Sequence, residues 1–136
     1  MVKVIMGKKG SGKTKQMIDM INSAVRTEHG CVVCIEHGNK LTFDIHYQIR
    51  LVEASEYDIT DYSVLRGFIS GLYAGNYDIT HIFIDSVTKI VGGPCDEKTE
   101  QFIDWLAAFG EKNNLKFTVT ISADIETASE GLKKYV

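Results

Sequence analysis

Apolar residues recur along the chain with two different periods, which predict strands and helices in alternation. Five short runs are continuously or alternately apolar, as in strands of a buried sheet: residues 2–6, 31–36, 49–53, 81–85 and 117–122. Between these runs, apolar residues recur every three or four positions, which predicts amphipathic helices. Their apolar faces are Met17, Ile18, Ile21 and Val25 in the first helix, Val64, Leu65, Phe68, Ile69 and Leu72 in the second, and Phe102, Trp105, Leu106 and Phe109 in the third. A short fourth helix is predicted within residues 126–135.

Glycine and small polar residues predict where these helices begin and end. We expect Gly30 to end the first helix, because glycine adopts the left-handed backbone conformation that terminates helices. Thr60 or Asp61 is expected to begin the second helix, because short polar side chains cap the first amides. Residues 75–76 are expected to end the second helix and Gly110 the third.

Strands that alternate with helices favour a parallel sheet with helices on both faces. Such a sheet is buried on both sides, which explains why residues 31–35 and 82–84 are almost continuously apolar. We therefore predict a three-layer αβα fold of the α/β class with a mainly parallel, five-stranded sheet. The chain has 136 residues, of which 44% are hydrophobic and 24% charged, and it is expected to form a single domain over residues 1–136.

Charge and composition narrow the expected partners and compartment. The formal net charge of -3 does not favour a protein whose main partner is nucleic acid. No run of about 18 apolar residues and no secretory signal is present, so we expect no membrane insertion and a cytoplasmic location. Cys31, Cys34 and Cys95 are then expected to be reduced thiols. Cys31 and Cys34 are three residues apart on a strand, so they should face opposite sides of the sheet.

A glycine-rich segment, GKKGSGKT, separates the first predicted strand from the first predicted helix. Its residues Gly7, Gly12, Lys13 and Thr14 match the phosphate-binding pattern G-x-x-x-x-G-K-[ST] in the strand-to-helix context that the pattern requires. In such loops, backbone amides bind phosphate oxygens, the lysine reaches the β- and γ-phosphates, and the hydroxyl binds Mg²⁺. Lys8 and Lys9 add positive charge. We therefore predict that the nucleotide is bound by Gly7, Lys8, Lys9, Gly10, Ser11, Gly12, Lys13 and Thr14.

Two acidic residues close predicted strands. Asp85 ends the fourth run, so it should lie where strands of an open α/β sheet end and ligands bind, and we predict that it holds Mg²⁺ together with Thr14. Hydrolysis also needs a group that orients the attacking water. Because Ser86 follows Asp85, that strand offers no second carboxylate. Glu36, at the end of the second run, is the candidate for this role.

Three segments in this order, GKKGSGKT, VVCIEHGNK and IFIDSVTKI, resemble the ATPase core of RecA-like P-loop NTPases. The resemblance implies ATP and Mg²⁺ as ligands, Glu36 as the water-activating glutamate, and Asp85 with Ser86 as the magnesium-side pair. It also implies the strand order 3-2-4-5-1. The resemblance spans roughly residues 2–122 and lacks the DNA-binding extensions of the recombinases, so it does not imply DNA pairing.

A polar residue at the end of the strand beside the loop senses the γ-phosphate in this family. Thr118, Thr120 and Ser122 share one face of the fifth run, and Ser122 is nearest the ligand end. Ser122 is therefore the sensor candidate. The alternative is that hydroxyl residues occur here because threonine favours strands.

The leading functional hypothesis is a magnesium-dependent ATPase with a low intrinsic rate, in which Lys13, Glu36 and Ser122 are catalytic. The rate is expected to be low because Arg26, Arg50 and Arg66 all lie in or beside regular elements, where solvated roles are common. A partner protein or a second copy of the chain would then supply an arginine finger.

Two other functions use the same residues. One is a nucleotide-gated binding module that hardly hydrolyses ATP. The other is a kinase for a nucleoside-type acceptor, which would need a lid over its two substrates. Residues 87–98 are the only plausible lid, and they offer only Lys89 and Lys98 as cations.

Overall fold

The computed structural model describes residues 1–38, 41 and 44–136. Its strands are β1 (Val2–Gly7), β2 (Cys31–Glu36), β3 (Arg50–Glu53), β4 (Ile79–Ile84) and β5 (Lys116–Ser122). Its helices are α1 (Lys13–Thr27), α2 (Tyr62–Gly75), α3 (Val87–Val91), α4 (Glu97–Asn113) and α5 (Glu130–Lys133), with short 3₁₀ turns at Ala54–Tyr57 and Ile125–Thr127. None of these helices, in the part of the chain described, has both the length and the apolar character needed to cross a membrane.

The strands form one five-stranded, all-parallel sheet in the order β3-β2-β4-β5-β1. The predicted α/β class and parallel sheet are therefore confirmed. Because all strands run in the same direction, they all end at one side of the sheet, here called its carboxyl end, and begin at the opposite amino end. The connections that lead to α1, α2 and α3 start at the carboxyl end, where ligands bind in open α/β folds.

Helices cover both faces of the sheet, so the chain has three layers. Ile82 and Ile84 of β4 belong to the core beneath α2 and α4, whereas Phe83 between them packs with α1. We call these sides the α2/α4 face and the α1 face. The helices contribute Leu65, Ile69, Phe102, Ile103 and Leu106 to the first core, and Met17, Ile21 and Ala24 to the second.

The helix ends confirm two predictions and correct two. The second helix, α2, ends at residues 75–76 as predicted, with Asn76 as its C-cap. Asp61 caps α2 and accepts a hydrogen bond from the Val64 amide at 2.9 Å. Gly110 does not end α4, which continues to Asn113 and stops at Asn114 in a left-handed conformation. A Cβ at Gly110 would lie 2.5 Å from the Leu115 carbonyl oxygen, so close packing requires this glycine. Gly30 likewise lies beyond the end of α1, and a Cβ there would collide with the Asp78 carbonyl oxygen.

The segment considered as a lid is structured. Residues 87–91 form α3, which packs against β5, and α4 begins after a turn through Gly92 and Pro94. The sequence pattern did not predict α3, because five residues are too few to show a helical period.

The three cysteines are free thiols, as predicted. Cys31 is exposed at the start of β2, and Cys34 is buried in the core beneath α1. Burial raises the pKa of the Cys34 thiol, so it stays protonated and packs as a small apolar side chain.

Candidate functional site

The glycine-rich loop joins the end of β1 to the start of α1 at the carboxyl end of the sheet. Gly10 and Gly12 have φ angles of 86° and 87°, which residues with a Cβ rarely adopt. The Ser11 amide donates to the Lys8 carbonyl oxygen at 3.1 Å and closes the turn. Gly12 is the N-cap of α1 and offers no side chain to its first amides. Those amides therefore remain available to an external acceptor.

Three other helix starts in the described chain are occupied by the protein's own side chains, whereas Ser86 at the start of the short helix α3 makes no side-chain cap bond. Asp61 caps α2, Asp96 caps α4 and Ser129 caps α5, each through a side-chain oxygen. The start of α1 differs from these because a glycine stands at its cap.

Lys13 begins α1 and lies beneath the loop, with an exposed fraction of only 8%. Its Nζ donates a hydrogen bond to the Lys8 carbonyl oxygen at 3.1 Å. Burial lowers the pKa of Lys13; nearby Asp85 opposes this shift and Lys89 of α3 adds to it. Lys13 forms no ion pair with a carboxylate of the described residues. Its charge is thus only partly compensated within the protein.

Three polar side chains form a row across neighbouring strands, on the α1 face. Ile35 pairs with Ile84 and Ile84 with Val119, so the next residues, Glu36, Asp85 and Thr120, lie side by side at the carboxyl end. The Asp85 amide continues the ladder by donating to the Ile35 carbonyl oxygen at 2.8 Å.

Thr120 holds Asp85 in place. Its fully buried hydroxyl donates to Asp85 Oδ1 at 2.7 Å and accepts a hydrogen bond from the Ser86 amide, also at 2.7 Å. Ser86 has a φ of 59°, so the chain turns sharply after Asp85 and leads directly into α3. Thr120 was missed as a site residue, although the alternation in β5 placed it on the correct face.

Glu36 is buried, with an exposed fraction of 2%, at the end of β2. Its Oε2 accepts a hydrogen bond from the Leu41 amide at 3.1 Å. Leu41 is itself buried in the core beneath α1, so this bond joins the end of β2 to that core. Glu36 therefore has a structural contact as well as a position beside Asp85.

The remaining predicted site residues surround this row. Ser122 ends β5 and pairs in register with Gly7, so it lies beside the loop. Thr14 is exposed in the first turn of α1, and Lys9 is exposed in the loop. Lys8 is exposed as well, and its Nζ lies 3.5 Å from Asp124. The loop, Glu36, Asp85 and Ser122 thus occupy one end of the sheet.

Oxygen ligands for Mg²⁺ are present, although in a small number. No group of three or more His, Cys, Asp or Glu side chains is arranged to hold a metal within the described residues. The Thr14 hydroxyl and the Asp85 carboxylate are hard oxygen donors, and Mg²⁺ is commonly bound by one or two such groups together with substrate phosphates and water. These residues therefore fit Mg²⁺ that arrives with a nucleotide. Comparison of the chain with models of known protein families finds no match, and a search of curated proteins finds none either.

Proposed function

We propose that the chain binds magnesium ATP at residues 7–14 and hydrolyses it slowly. The observation that carries this proposal is a glycine-capped helix start whose first residue, Lys13, is buried and has no ion pair with the described residues, at the same end of the sheet as Asp85. An uncapped helix start and a lysine together favour a phosphate group. The strand order β3-β2-β4-β5-β1 is the one that the RecA-like resemblance implies, which supports a P-loop NTPase fold. ATP as the nucleotide rests on that resemblance alone.

Each site residue has a role in this proposal. The loop amides and Lys13 bind the β- and γ-phosphates, and Thr14 and Asp85 hold Mg²⁺. When bound, the ion would neutralise negative charge on the phosphate oxygens. Thr120 positions Asp85 by the 2.7 Å hydrogen bond. Ser122 lies beside Gly7, which suits a contact with the terminal phosphate.

Slow turnover follows from the positions of the arginines. Arg26 is in the last turn of α1 and Arg50 begins β3, so both lie at the amino end of the sheet, away from the loop. Arg66 is on the α2/α4 face, one turn into α2. An arginine finger contributes about 10³ to 10⁵ in rate, so the isolated chain should be slow until a partner or a second copy supplies one.

A nucleotide-gated binding module is the second candidate, and the contact of Glu36 favours it. Its carboxylate is almost fully buried and accepts the Leu41 amide, so it must change partners before it can orient a water molecule. If this contact persists with nucleotide bound, hydrolysis will be negligible and the bound state itself will be the functional state.

Nucleotide binding is tested by calorimetry with magnesium ATP on the wild type and on two lysine variants. Lys13→Ala should weaken binding by about 100-fold, because it removes the charge that contacts the phosphates. Lys15→Ala is the matched control, because Lys15 is exposed in the same turn of α1, and it should bind as the wild type does. Absence of binding by the wild type, or unchanged binding by Lys13→Ala, would refute the proposed function.

Hydrolysis is tested by phosphate release from wild type, Glu36→Gln and Glu53→Gln. Glutamine can still accept the Leu41 hydrogen bond but cannot activate water, so Glu36→Gln should lose at least about 100-fold in rate with binding unchanged. Glu53, which pairs with Glu36 in register on β3, provides the matched control. Binding without phosphate release in the wild type selects the module, and an unchanged rate in Glu36→Gln removes Glu36 from catalysis.

A further inference from the structure

A cavity of about 460 Å³ lies between the first turns of α2 and α4. Its lining includes Tyr62 and Arg66 of α2, Lys98 of α4, and Val91 and Pro94 from the segment between them. None of the loop residues 7–14 lines it. Because α4 leads into β5 at the amino end of the sheet, its first turn lies at the carboxyl end, as does that of α2. The cavity therefore opens at the same end as the loop, on the α2/α4 face.

The walls of this cavity are fixed by contacts between the two helix starts. The Tyr62 hydroxyl and the Thr99 hydroxyl are hydrogen-bonded at 2.7 Å and join the two helix starts. The Thr99 hydroxyl also lies 3.3 Å from the Pro94 carbonyl oxygen, which it can reach as a donor. The Tyr62 ring packs 5.0 Å from that of Phe102. The cavity is thus preformed, as small-molecule sites usually are.

The two cations of the cavity are not paired with any carboxylate of the described residues. Arg66 Nε is buried and has no hydrogen-bond acceptor among the described residues. Neither Arg66 nor Lys98 forms an ion pair within the described chain. A buried guanidinium donor without an acceptor costs free energy, so its presence in a native protein requires an explanation. An anionic ligand that pairs with the guanidinium group is one such explanation.

Carboxylates also line the cavity, but they serve the helix starts. Asp61 Oδ1 accepts from the Val64 amide at 2.9 Å, and Asp96 Oδ1 accepts from the Lys98 amide at 3.0 Å. Because these amides are taken, an anion here would be bound by the side chains of Arg66 and Lys98 rather than by a helix terminus. The acidic caps can additionally accept hydrogen bonds from hydroxyl or amino groups of the same ligand.

We propose that this cavity binds a second ligand, a small organic molecule with a phosphate or carboxylate group, held by Arg66 and Lys98. The planar guanidinium donates to two oxygens of such a group. The apolar surfaces of Tyr62, Val91 and Pro94 contact the rest of the molecule. The site is independent of the nucleotide loop, although α3 connects them: it begins directly after Asp85 and Ser86 and contributes Val91 to the cavity.

The proposal is tested on the full chain by titration with inorganic phosphate and, separately, with acetate, while backbone amide resonances are followed. Phosphate can also bind at residues 7–14. The amide resonances of that loop are therefore followed separately from those in the first turns of α2 and α4. At least one of the anions should shift amides in the first turns of α2 and α4, and which anion does so distinguishes a phosphate from a carboxylate ligand.

Three variants localise the effect. Arg66→Gln and Lys98→Gln should each weaken binding at the cavity by about tenfold and leave the loop amides unchanged. Lys98 is exposed, so its replacement does not endanger folding. Arg26→Gln, an exposed arginine on α1, should change nothing. If neither anion affects α2 and α4, or if both glutamine variants at the cavity titrate as the wild type does, the proposal is wrong.

Discussion

Two polar clusters lie on the α1 face at opposite ends of the same two strands, β4 and β5. The amino-end cluster consists of Glu28, His81, Lys116 and Thr118. The carboxyl-end cluster consists of Lys13, Glu36, Asp85 and Thr120. In each, a buried threonine of β5 is hydrogen-bonded to a polar side chain of β4: Thr118 to His81 Nε2 at 2.9 Å, and Thr120 to Asp85 at 2.7 Å.

The amino-end cluster compensates its own charges. Lys116 Nζ lies 2.8 Å from Glu28 Oε2, so the two full charges form an ion pair. Burial lowers the pKa of His81 to about 4, so its imidazole is neutral at neutral pH, and it stacks on Phe83 with ring centroids 4.1 Å apart. Every charged group of this cluster thus has a partner within the protein.

The carboxyl-end cluster differs because its lysine is not paired. Lys13 is hydrogen-bonded to a carbonyl oxygen of its own loop and forms no ion pair with Asp85 or another described carboxylate. The same two strands, each time with a hydrogen-bonded threonine, therefore carry two different clusters. The charges of the amino-end cluster are paired with each other, whereas the charge of Lys13 at the carboxyl end is only partly compensated. Charges that are buried without full compensation are more common at binding sites than in structural networks.

Replacing each threonine by valine should give the largest difference between the clusters. Valine keeps the shape of threonine but removes the hydroxyl. Thr120→Val leaves the Asp85 carboxylate and the Ser86 amide without their partner, so we expect a loss of about 3 kcal/mol in the free energy of unfolding. Thr118→Val removes a bond to a neutral histidine and should cost about 1 kcal/mol. Denaturant unfolding at pH 7.5 measures both, and equal losses would contradict the distinction between the clusters.

Acid should destabilise the folded protein through protonation of His81 in the amino-end cluster. In the folded protein, the His81 imidazole binds a proton only near pH 4. In the unfolded chain it does so near the ordinary value of 6.5. The unfolded state therefore holds more protons between these values, and stability falls as the pH falls. Between pH 8 and pH 5 the free energy of unfolding should fall by about 2 kcal/mol.

A histidine variant isolates that contribution. His81→Gln keeps a group that can hydrogen-bond Thr118 but cannot titrate, so its stability should depend less on pH between 7 and 5. His29→Gln, at an exposed position, should keep the wild-type dependence. Denaturant unfolding at a series of pH values compares the three proteins. If the stability of His81→Gln depends on pH as steeply as that of the wild type, burial does not lower the pKa of His81.

The sequence predicted those features of the fold that depend only on neighbouring residues in the chain. Periodicity located the strands of the parallel sheet, and the strand-to-helix context placed residues 7–14 between β1 and α1. It also placed Asp85 at the carboxyl end, because a residue that follows a buried parallel strand can lie nowhere else. The identity of the ligand is not among these local properties and stays a prediction.

Contacts between distant segments were not predictable in the same way. The bond between Thr120 and Asp85 depends on the register of β5 against β4, and the cavity depends on how the first turns of α2 and α4 meet. Gly110 was misinterpreted because a glycine that close packing requires looks, in sequence, like one that ends a helix. The contact of Glu36 with the Leu41 amide likewise depends on the path of the chain after β2.

The ion pair of Glu28 and Lys116 should give the smallest effect. The Lys116 side chain is 48% exposed and that of Glu28 only 7%, and partly solvated pairs of this kind contribute less than about 1 kcal/mol. Burial would raise the pKa of Glu28, but the hydrogen bond and charge of Lys116, together with Thr80 and His81, outweigh it and hold this pKa below its usual value. Lys116→Met should therefore raise the pKa of Glu28, which carboxyl resonances report, while unfolding changes little. Lys112→Met, at an exposed position in α4, is the control. A large loss of stability in Lys116→Met, but not in Lys112→Met, would mean that the amino-end cluster depends on its ion pair. The difference between the two clusters would then rest on Lys13 only.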